Sequence, residues 1–165
     1  LLNEYGVSVI APSFANTTLD TPSLSAEIFR IFETDGTVII DAGGDDAGSI
    51  ALGSFSNRIN RIDYDMLYVI NKYRPLASEP ESASAILREI ERASRLRATG
   101  IVNNSHLKEF TTQETILASM DFARETAEKL ELPLKFTTAP KEIAGRLEIG
   151  PLYPVEIYVR TPWGS

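Results

Sequence analysis

The residue types best suited to chemistry lie in one short segment, TVIIDAGGDDAG, at residues 37–48. Its first part, Thr37–Ile40, is apolar and β-branched, is too short for a helix and is predicted to be a buried strand. Carboxylates and glycines follow it: Asp41, Gly43, Gly44, Asp45 and Asp46. In an open α/β sheet, ligands bind just beyond the carboxyl ends of parallel strands. Carboxylates there, beside glycines whose amides a phosphate can approach, favour a magnesium–nucleotide site. An acidic turn that merely starts the next helix is the alternative.

Polar residues follow three further strands that we predict. These are Asn71 with Lys72, Asn103 with Asn104, and Thr137 with Thr138. The carboxyl ends of parallel strands meet at one edge of a sheet, so these side chains are expected to line a common pocket.

The elements that must position these residues alternate between strand and helix. The predicted strands are Val7–Ala11, Thr37–Ile40, Met66–Ile70, Thr99–Val102, Leu134–Thr137 and Val155–Val159. Five helices are predicted. The first begins at Thr21-Pro22-Ser23, the second follows the acidic turn, and the third begins at Ser78-Glu79-Pro80. The fourth begins at Thr111-Thr112-Gln113 and runs through Leu130, and the fifth runs from about Glu142 to Leu147. This βαβ spacing predicts an α/β fold with a mostly parallel sheet and helices on both faces. Residues 1–165 form a single domain, or part of one.

Composition excludes several classes of function. The net charge of −7 argues against non-specific nucleic-acid binding, which needs a basic surface. The absence of cysteine excludes thiolate chemistry and permits a cytoplasmic location. No apolar run approaches the ~18 residues of a membrane span.

The motifs DAGGDDAG, NKYRP and GIVNNSHL, in this order, resemble the MinD/ParA/CobQ-like P-loop ATPases of the SIMIBI group. The resemblance covers nearly the whole chain and implies a P-loop NTPase-like fold that binds ATP and Mg²⁺. TVIIDAGG is similar to the Walker B and switch II segment of that family. By that match Asp41 would hold Mg²⁺ through water, and Gly43 or Gly44 would offer an amide to the γ-phosphate.

The same resemblance assigns the base side of the nucleotide site. Asn103 matches the asparagine that reads adenine, and Asn104 is its neighbour. Thr138 and Pro140 lie in TTAP, which looks like the strand and proline loop that packs against the base. From the residues alone, Asp45 is a further catalytic candidate, since a carboxylate there could activate a water molecule or bind the metal.

The chain departs from the family in one respect. No Gly-Lys pair occurs, so the phosphate loop GxxxxGK[ST] is absent from these 165 residues. Because that loop supplies the amides and lysine that hold the phosphates, hydrolysis without it is not credible. A fragment lacking its first βαβ unit is the favoured interpretation, and a complete, degenerate relative is the alternative. A fragment would leave strands unpaired and could form a homodimer.

Three functions therefore stay open: an ATPase of the MinD/ParA type seen without its phosphate loop, a non-catalytic partner-binding module, and a cobyrinate-synthase-like amidoligase. His106, the only histidine, is expected to be a loop residue bonded to the backbone. Arg74 could reach a phosphate or a partner, and an exposed loop arginine is the simpler interpretation.

Overall fold

A computed structural model describes residues 2–10, 26–44, 46–156 and 158. Its centre is a sheet of four strands in the order β1-β2-β3-β4, in which every pairing is parallel. The strands are β1 (Leu67–Ile70), β2 (Gly100–Asn103), β3 (Leu134–Pro140) and β4 (Leu152–Val155). The predicted α/β class and parallel sheet are confirmed, and three of the predicted strands overlap β1, β2 and β3, with ends that differ by at most three residues.

The helices alternate with the strands from β1 onward. The α-helices are α1 (Asp46–Gly53), α2 (Ser56–Ile59), α3 (Pro80–Ser94), α4 (Gln113–Ala118), α5 (Met120–Leu130) and α6 (Lys141–Ala144). Short 3-10 helices occupy Leu2–Tyr5, Ala26–Glu33, Pro75–Ala77 and Lys108–Phe110. No helix within the described ranges has the length and apolar character that a membrane crossing requires.

The core lies between one face of the sheet and helices α3 and α5. Ile70 and Ile101 pack there against small residues of the two helices, Ala83 and Ala123. Tyr68 joins this cluster, and its hydroxyl donates to the Ala83 carbonyl at 2.9 Å. Burial raises the pKa of Tyr68 to about 12. Tyr68 is thus a core residue, as its strand position predicts.

The sequential strand order explains why the helices share that face. Right-handed crossovers between strands that follow one another across a sheet all place their helices on the same side. The opposite face at β1 is open, and the Val69 side chain is 56% exposed. Crossover helices on the opposite face would require strands beyond the outer edge of β1. Among the described residues no strand pairs with that edge, so the predicted second helical layer is not found there.

The prediction of a strand at Thr37–Ile40 is wrong. This segment has no strand pairing, and its Ile39 side chain is 89% exposed. Val7–Ile10 is likewise irregular and exposed, while Ala11 lies outside the described residues. β-branching makes a segment suited to a sheet, but a strand forms only where a neighbour supplies hydrogen bonds and a covering face. Among the described residues, neither segment has such a neighbour.

Three other boundaries differ from prediction. The last described strand is Leu152–Val155, which contains only the first residue of the predicted strand Val155–Val159; Glu156 and Tyr158 lie outside any strand, and Ile157 and Val159 lie outside the described residues. At the edge of the described sheet this strand tolerates Pro154, which lacks an N–H donor. The predicted long helix ends at Ala118 and restarts at Met120, because Ser119 turns its side chain back onto the Ile116 carbonyl at 2.7 Å. The short helix after β3 is Lys141–Ala144 instead of Glu142–Leu147. The start predicted for the first helix, at Thr21-Pro22-Ser23, lies outside the described residues.

A second cluster joins α1 and α2 to α3. Phe55 and Ile59 are buried against Leu96, which follows α3. At Gly53 the backbone of α1 approaches Ser94 so closely that an added Cβ would lie 3.2 Å from the Ser94 Cα. Glycine at this position therefore allows α1 to pack against α3.

Candidate functional site

The loops that follow β1 and β2 are joined to each other at the carboxyl edge of the sheet. Asn71 Oδ1 accepts from the backbone N–H of Tyr73 at 2.9 Å and from that of His106 at 3.4 Å. The N–H of Lys72 donates to Ser105 Oγ at 2.9 Å. Since backbone amides can only donate, these contacts fix the orientation of the Asn71 side chain and leave its Nδ2 pointing away from them.

The first of these loops is also tied to α4. Lys72 Nζ donates to the carbonyl of Ala118, the last residue of that helix, at 3.0 Å. A cation is favoured there because the helix C-terminus carries partial negative charge. The Tyr73 hydroxyl donates to the Thr115 carbonyl at 2.7 Å. The edge of the sheet is therefore built from loops with fixed positions.

Asn103, the last residue of β2, is completely buried and its amide is fully used. Its Nδ2 donates to Ser119 Oγ at 2.9 Å, and its Oδ1 accepts from Ser105 Oγ at 2.6 Å and from the Ser105 N–H at 3.2 Å. The side chain holds the loop after β2 against the junction between α4 and α5. In this arrangement it has no donor or acceptor directed toward a ligand.

Asn104, the next residue, is half-buried and only partly engaged. Thr138 Oγ1 donates to Asn104 Oδ1 at 2.6 Å, which joins the ends of β2 and β3 through side chains. The Nδ2 of Asn104 has no hydrogen-bond partner among the described residues. The arrangement presents an amide donor, with a second acceptor lone pair on Oδ1, at the edge where ligands bind in parallel sheets.

His106 carries out the structural role predicted for it. Its Nδ1 accepts from the N–H of Lys108 at 3.2 Å, and Lys108 adopts a left-handed conformation with φ of 54°. This bond places the ring hydrogen on Nε2. Burial lowers the pKa of His106, and the charges of Arg74 and Lys108 lower it further. The neutral imidazole is thus the favoured form.

The acidic turn differs from these loops in being exposed where the structure describes it. Asp41, Gly43 and Gly44 are exposed and lie outside any helix or strand, and Asp45 lies outside the described residues. The backbone of Gly43 lies so close to Gly48 that a Cβ on Gly48 would collide with it, so the turn folds onto the first turn of α1. Within the described ranges, Asp41 forms no hydrogen bond or ion pair with the sheet edge.

Mg²⁺ would need more ligands than this turn is seen to provide. No group of three or more histidine, aspartate or glutamate side chains that could hold a metal occurs in the described part of the chain. Asp41 is the carboxylate of this turn whose side chain the structure describes, and a carboxylate is a suitable Mg²⁺ ligand. The described side chains of this turn do not by themselves supply the set of ligands that Mg²⁺ needs.

Pro140 and Thr138 occupy the end of β3. Pro140 is the last residue of that strand and stands opposite Val155 of β4 in the register. Both are half-buried. Of the residues predicted from the sequence, the structure brings Asn103, Asn104, Thr138 and Pro140 to one edge.

Sequence reasoning missed two buried serines of this edge, Ser105 and Ser119. Ser119 is completely buried at the α4–α5 junction and receives the Asn103 amide. For Ser119, the available signal was its place beside Met120 on the apolar side of a predicted helix. A hydroxyl buried there requires a polar partner, which would have indicated a buried hydrogen bond.

An open cavity of about 610 Å³ lies at the opposite, amino end of the strands. Leu87, Leu130 and Leu132 form its apolar part, and charged residues, including the ion pair between Arg97 and Glu91, line its rim. It does not touch the carboxyl-edge loops.

Comparison of the chain with protein-family models, curated proteins and solved structures found no match. The resemblance to MinD/ParA/CobQ-like ATPases therefore rests on the sequence motifs alone.

Proposed function

We propose that this chain is a nucleotide-binding domain of the P-loop NTPase type, and that it receives the base of an adenine nucleotide at the carboxyl edge of β2 and β3. The observation that carries the proposal is the Asn104–Thr138 pair, in which a threonine hydroxyl holds an asparagine side chain 2.6 Å away and leaves its Nδ2 unengaged. An asparagine side chain can donate to one adenine acceptor and accept from the adenine amino group at once.

The surrounding geometry supports this assignment of roles. The resemblance matches Asn103 to the asparagine that reads adenine and makes Asn104 its neighbour, but the hydrogen bonds of the two side chains favour the opposite assignment. Asn103 is buried and its amide is hydrogen-bonded to Ser105 and Ser119, whereas the Nδ2 of Asn104 has no partner among the described residues. Asn104 is therefore the base reader in this proposal, and Asn103 positions the loop that carries it.

Affinity in this chain is expected to be low. A net hydrogen bond contributes about 0.5–1.5 kcal/mol, whereas micromolar binding requires about 8 kcal/mol. Base contacts without a phosphate loop provide orientation and selectivity, so dissociation constants in the millimolar range are expected. ATP hydrolysis by these 165 residues is not expected.

The test is a titration of the ¹⁵N-labelled chain with adenosine and guanosine, followed by amide chemical shifts. Adenosine should shift the amide resonances of Asn104 and Thr138, and guanosine should produce smaller shifts. Asn104→Leu should abolish the response, and the matched variant Asn57→Leu, an exposed asparagine on α2, should retain it. An adenosine response that survives Asn104→Leu, or that lies elsewhere, would overturn the proposal.

A partner-binding module is the second candidate, and a different observation favours it. Val38, Ile39 and Ile40 form an exposed apolar run, and the outer edge of β1 pairs with no described strand. Unpaired strand edges readily accept another strand. If adenosine produced no response, a partner that adds a strand to β1 would become the favoured function.

A further inference from the structure

The cations that follow the strands at the carboxyl edge fall into two groups. Lys72 Nζ is bound to the Ala118 carbonyl, and Lys141 Nζ forms an ion pair with Glu156 Oε1 at 2.6 Å. Arg74 and Lys108 have neither an ion pair nor a side-chain hydrogen bond with any described residue. Within the part of the edge that the structure describes, their guanidinium and ammonium groups are therefore cations without a partner.

The two unengaged cations are held close to the same histidine. Lys108 donates its backbone N–H to His106 Nδ1, and the His106 N–H donates to Asn71 Oδ1. The N–H of Arg74 in turn donates to the Asn71 carbonyl at 3.1 Å. This chain of bonds runs from one loop to the other, so Arg74 and Lys108 belong to two loops that are joined to each other at His106.

Two neutral donors complete the set. The ring hydrogen on His106 Nε2 has no partner among the described residues, and neither has the Nδ2 of Asn71. Their acceptor atoms, by contrast, are occupied by backbone amides. The cluster therefore offers donors and positive charge with no free acceptor, which suits an anion and does not suit a cation or a second donor.

The local charge is unusual for this protein. The chain carries a net charge of −7, yet no described carboxylate pairs with Arg74 or Lys108. Glu114, the acidic residue that begins α4, is engaged at that helix N-terminus, where its own backbone N–H and Thr112 lower its pKa. After burial, the charges of Arg74 and Lys108 are what lowers the pKa of His106. Keeping like charges together without a counterion is unfavourable, and a bound anion would relieve the repulsion.

We infer that Arg74, His106 and Lys108, with the amide of Asn71, form a binding site for a phosphate group. Phosphate fits better than a monovalent carboxylate because it carries up to two charges and has three oxygens for donors from separate loops. An arginine fork and a lysine point charge are the usual protein partners of such a group. The phosphate could belong to the nucleotide or to a separate phosphorylated molecule, and the site does not require that adenine binds at Asn104.

The only histidine of the chain provides a direct readout. We would follow the His106 ring resonances against pH in inorganic phosphate and in chloride at equal ionic strength. Because an opposite charge within ~4–6 Å favours the protonated imidazole by about 1–3 pKa units, phosphate should raise the pKa of His106 by about one unit or more. Absence of a rise in phosphate would overturn the inference.

Variants separate the site from a general effect of charge. Arg74→Gln and Lys108→Gln should each weaken phosphate binding by about tenfold, and the double variant should remove the response. Both side chains are exposed, and the conformational propensities of glutamine are close to those of arginine and lysine. Both variants should therefore fold, which the amide spectrum checks. Arg61→Gln removes one charge at the amino end of β1 and should bind as the parent chain does. A response retained by the double variant would refute the site.

Three further ligands identify the chemical class and the source. An equal rise in acetate would refute selectivity for phosphate. ATP that moves both His106 and the Thr138 resonances at one concentration would identify nucleotide phosphate as the ligand. A rise with glycerol 3-phosphate, while ATP moves only Thr138, would identify a separate phosphorylated molecule. Adenosine tests the base site independently, because it carries no phosphate.

Discussion

Replacement of Asn103 by alanine tests whether this side chain is a structural anchor. The change removes the bonds to Ser105 Oγ and Ser119 Oγ, at about 0.5–1.5 kcal/mol each, and leaves the buried Ser105 N–H without an acceptor, at about 1–3 kcal/mol. The expected loss is therefore roughly 2–6 kcal/mol, a large part of the ~5–15 kcal/mol that stabilises a typical domain. Asn104→Ala removes only the bond to Thr138 and should cost about 1 kcal/mol.

The assay is urea unfolding followed by far-ultraviolet circular dichroism, with the slope of the transition checked for constancy. Ser119→Ala and the double variant complete a cycle, in which the coupling of Asn103 to Ser119 should be about 0.5–3 kcal/mol. Adenosine binding should rank the two variants in the opposite order, since Asn104→Ala should abolish binding although it costs little stability. If Asn103→Ala were nearly neutral and Asn104→Ala strongly destabilising, the division of roles would be wrong.

Three further outcomes follow from particular contacts. His106 should titrate below its ordinary pKa near 6.5. Because the unfolded chain then binds the proton more readily than the folded protein, the free energy of unfolding should fall as pH drops below ~6.5 and level off below the folded pKa. Denaturation at several pH values would measure this dependence. Gly53→Ala should lower stability by about 1–3 kcal/mol through its clash with α3, whereas Gly145→Ala, with open space around it, should leave thermal unfolding unchanged or slightly raise the midpoint. Calorimetry with ATP and Mg²⁺ should detect no micromolar binding to these 165 residues, since they contain no Gly-Lys pair; tight binding would mean that other residues replace the phosphate loop.

Much of the fold from β1 onward could be predicted because several of its elements are marked locally. Helix α3 begins at Pro80 after an extended residue, and Thr112 caps α4 by accepting from the Thr115 N–H. Thr37–Ile40 could not be predicted from its composition, because strand formation depends on a neighbour distant in sequence. The β-propensity of a segment shows that it is compatible with a sheet, but it forms a strand only if another strand pairs with it.

The site was predictable to the level of the sheet edge and no further. That polar residues follow several strands was visible in the sequence, as was the pair Asn103 and Asn104. Their different roles follow from the alternation of side chains, since Asn103 shares the face of Ile101 and is covered by helices. The cluster around His106 could not be foreseen, because it depends on hydrogen bonds between two loops 35 residues apart.

The position of the bound base tests the central claim most directly. Nuclear Overhauser contacts would be measured between adenine protons and methyl groups of the labelled chain at saturating adenosine. We expect contacts with the Thr138 methyl, beside Asn104, and their loss in Asn104→Leu. Contacts with Leu87, Leu130 and Leu132, which line the cavity at the opposite end of the strands, would contradict a nucleotide site at the carboxyl edge.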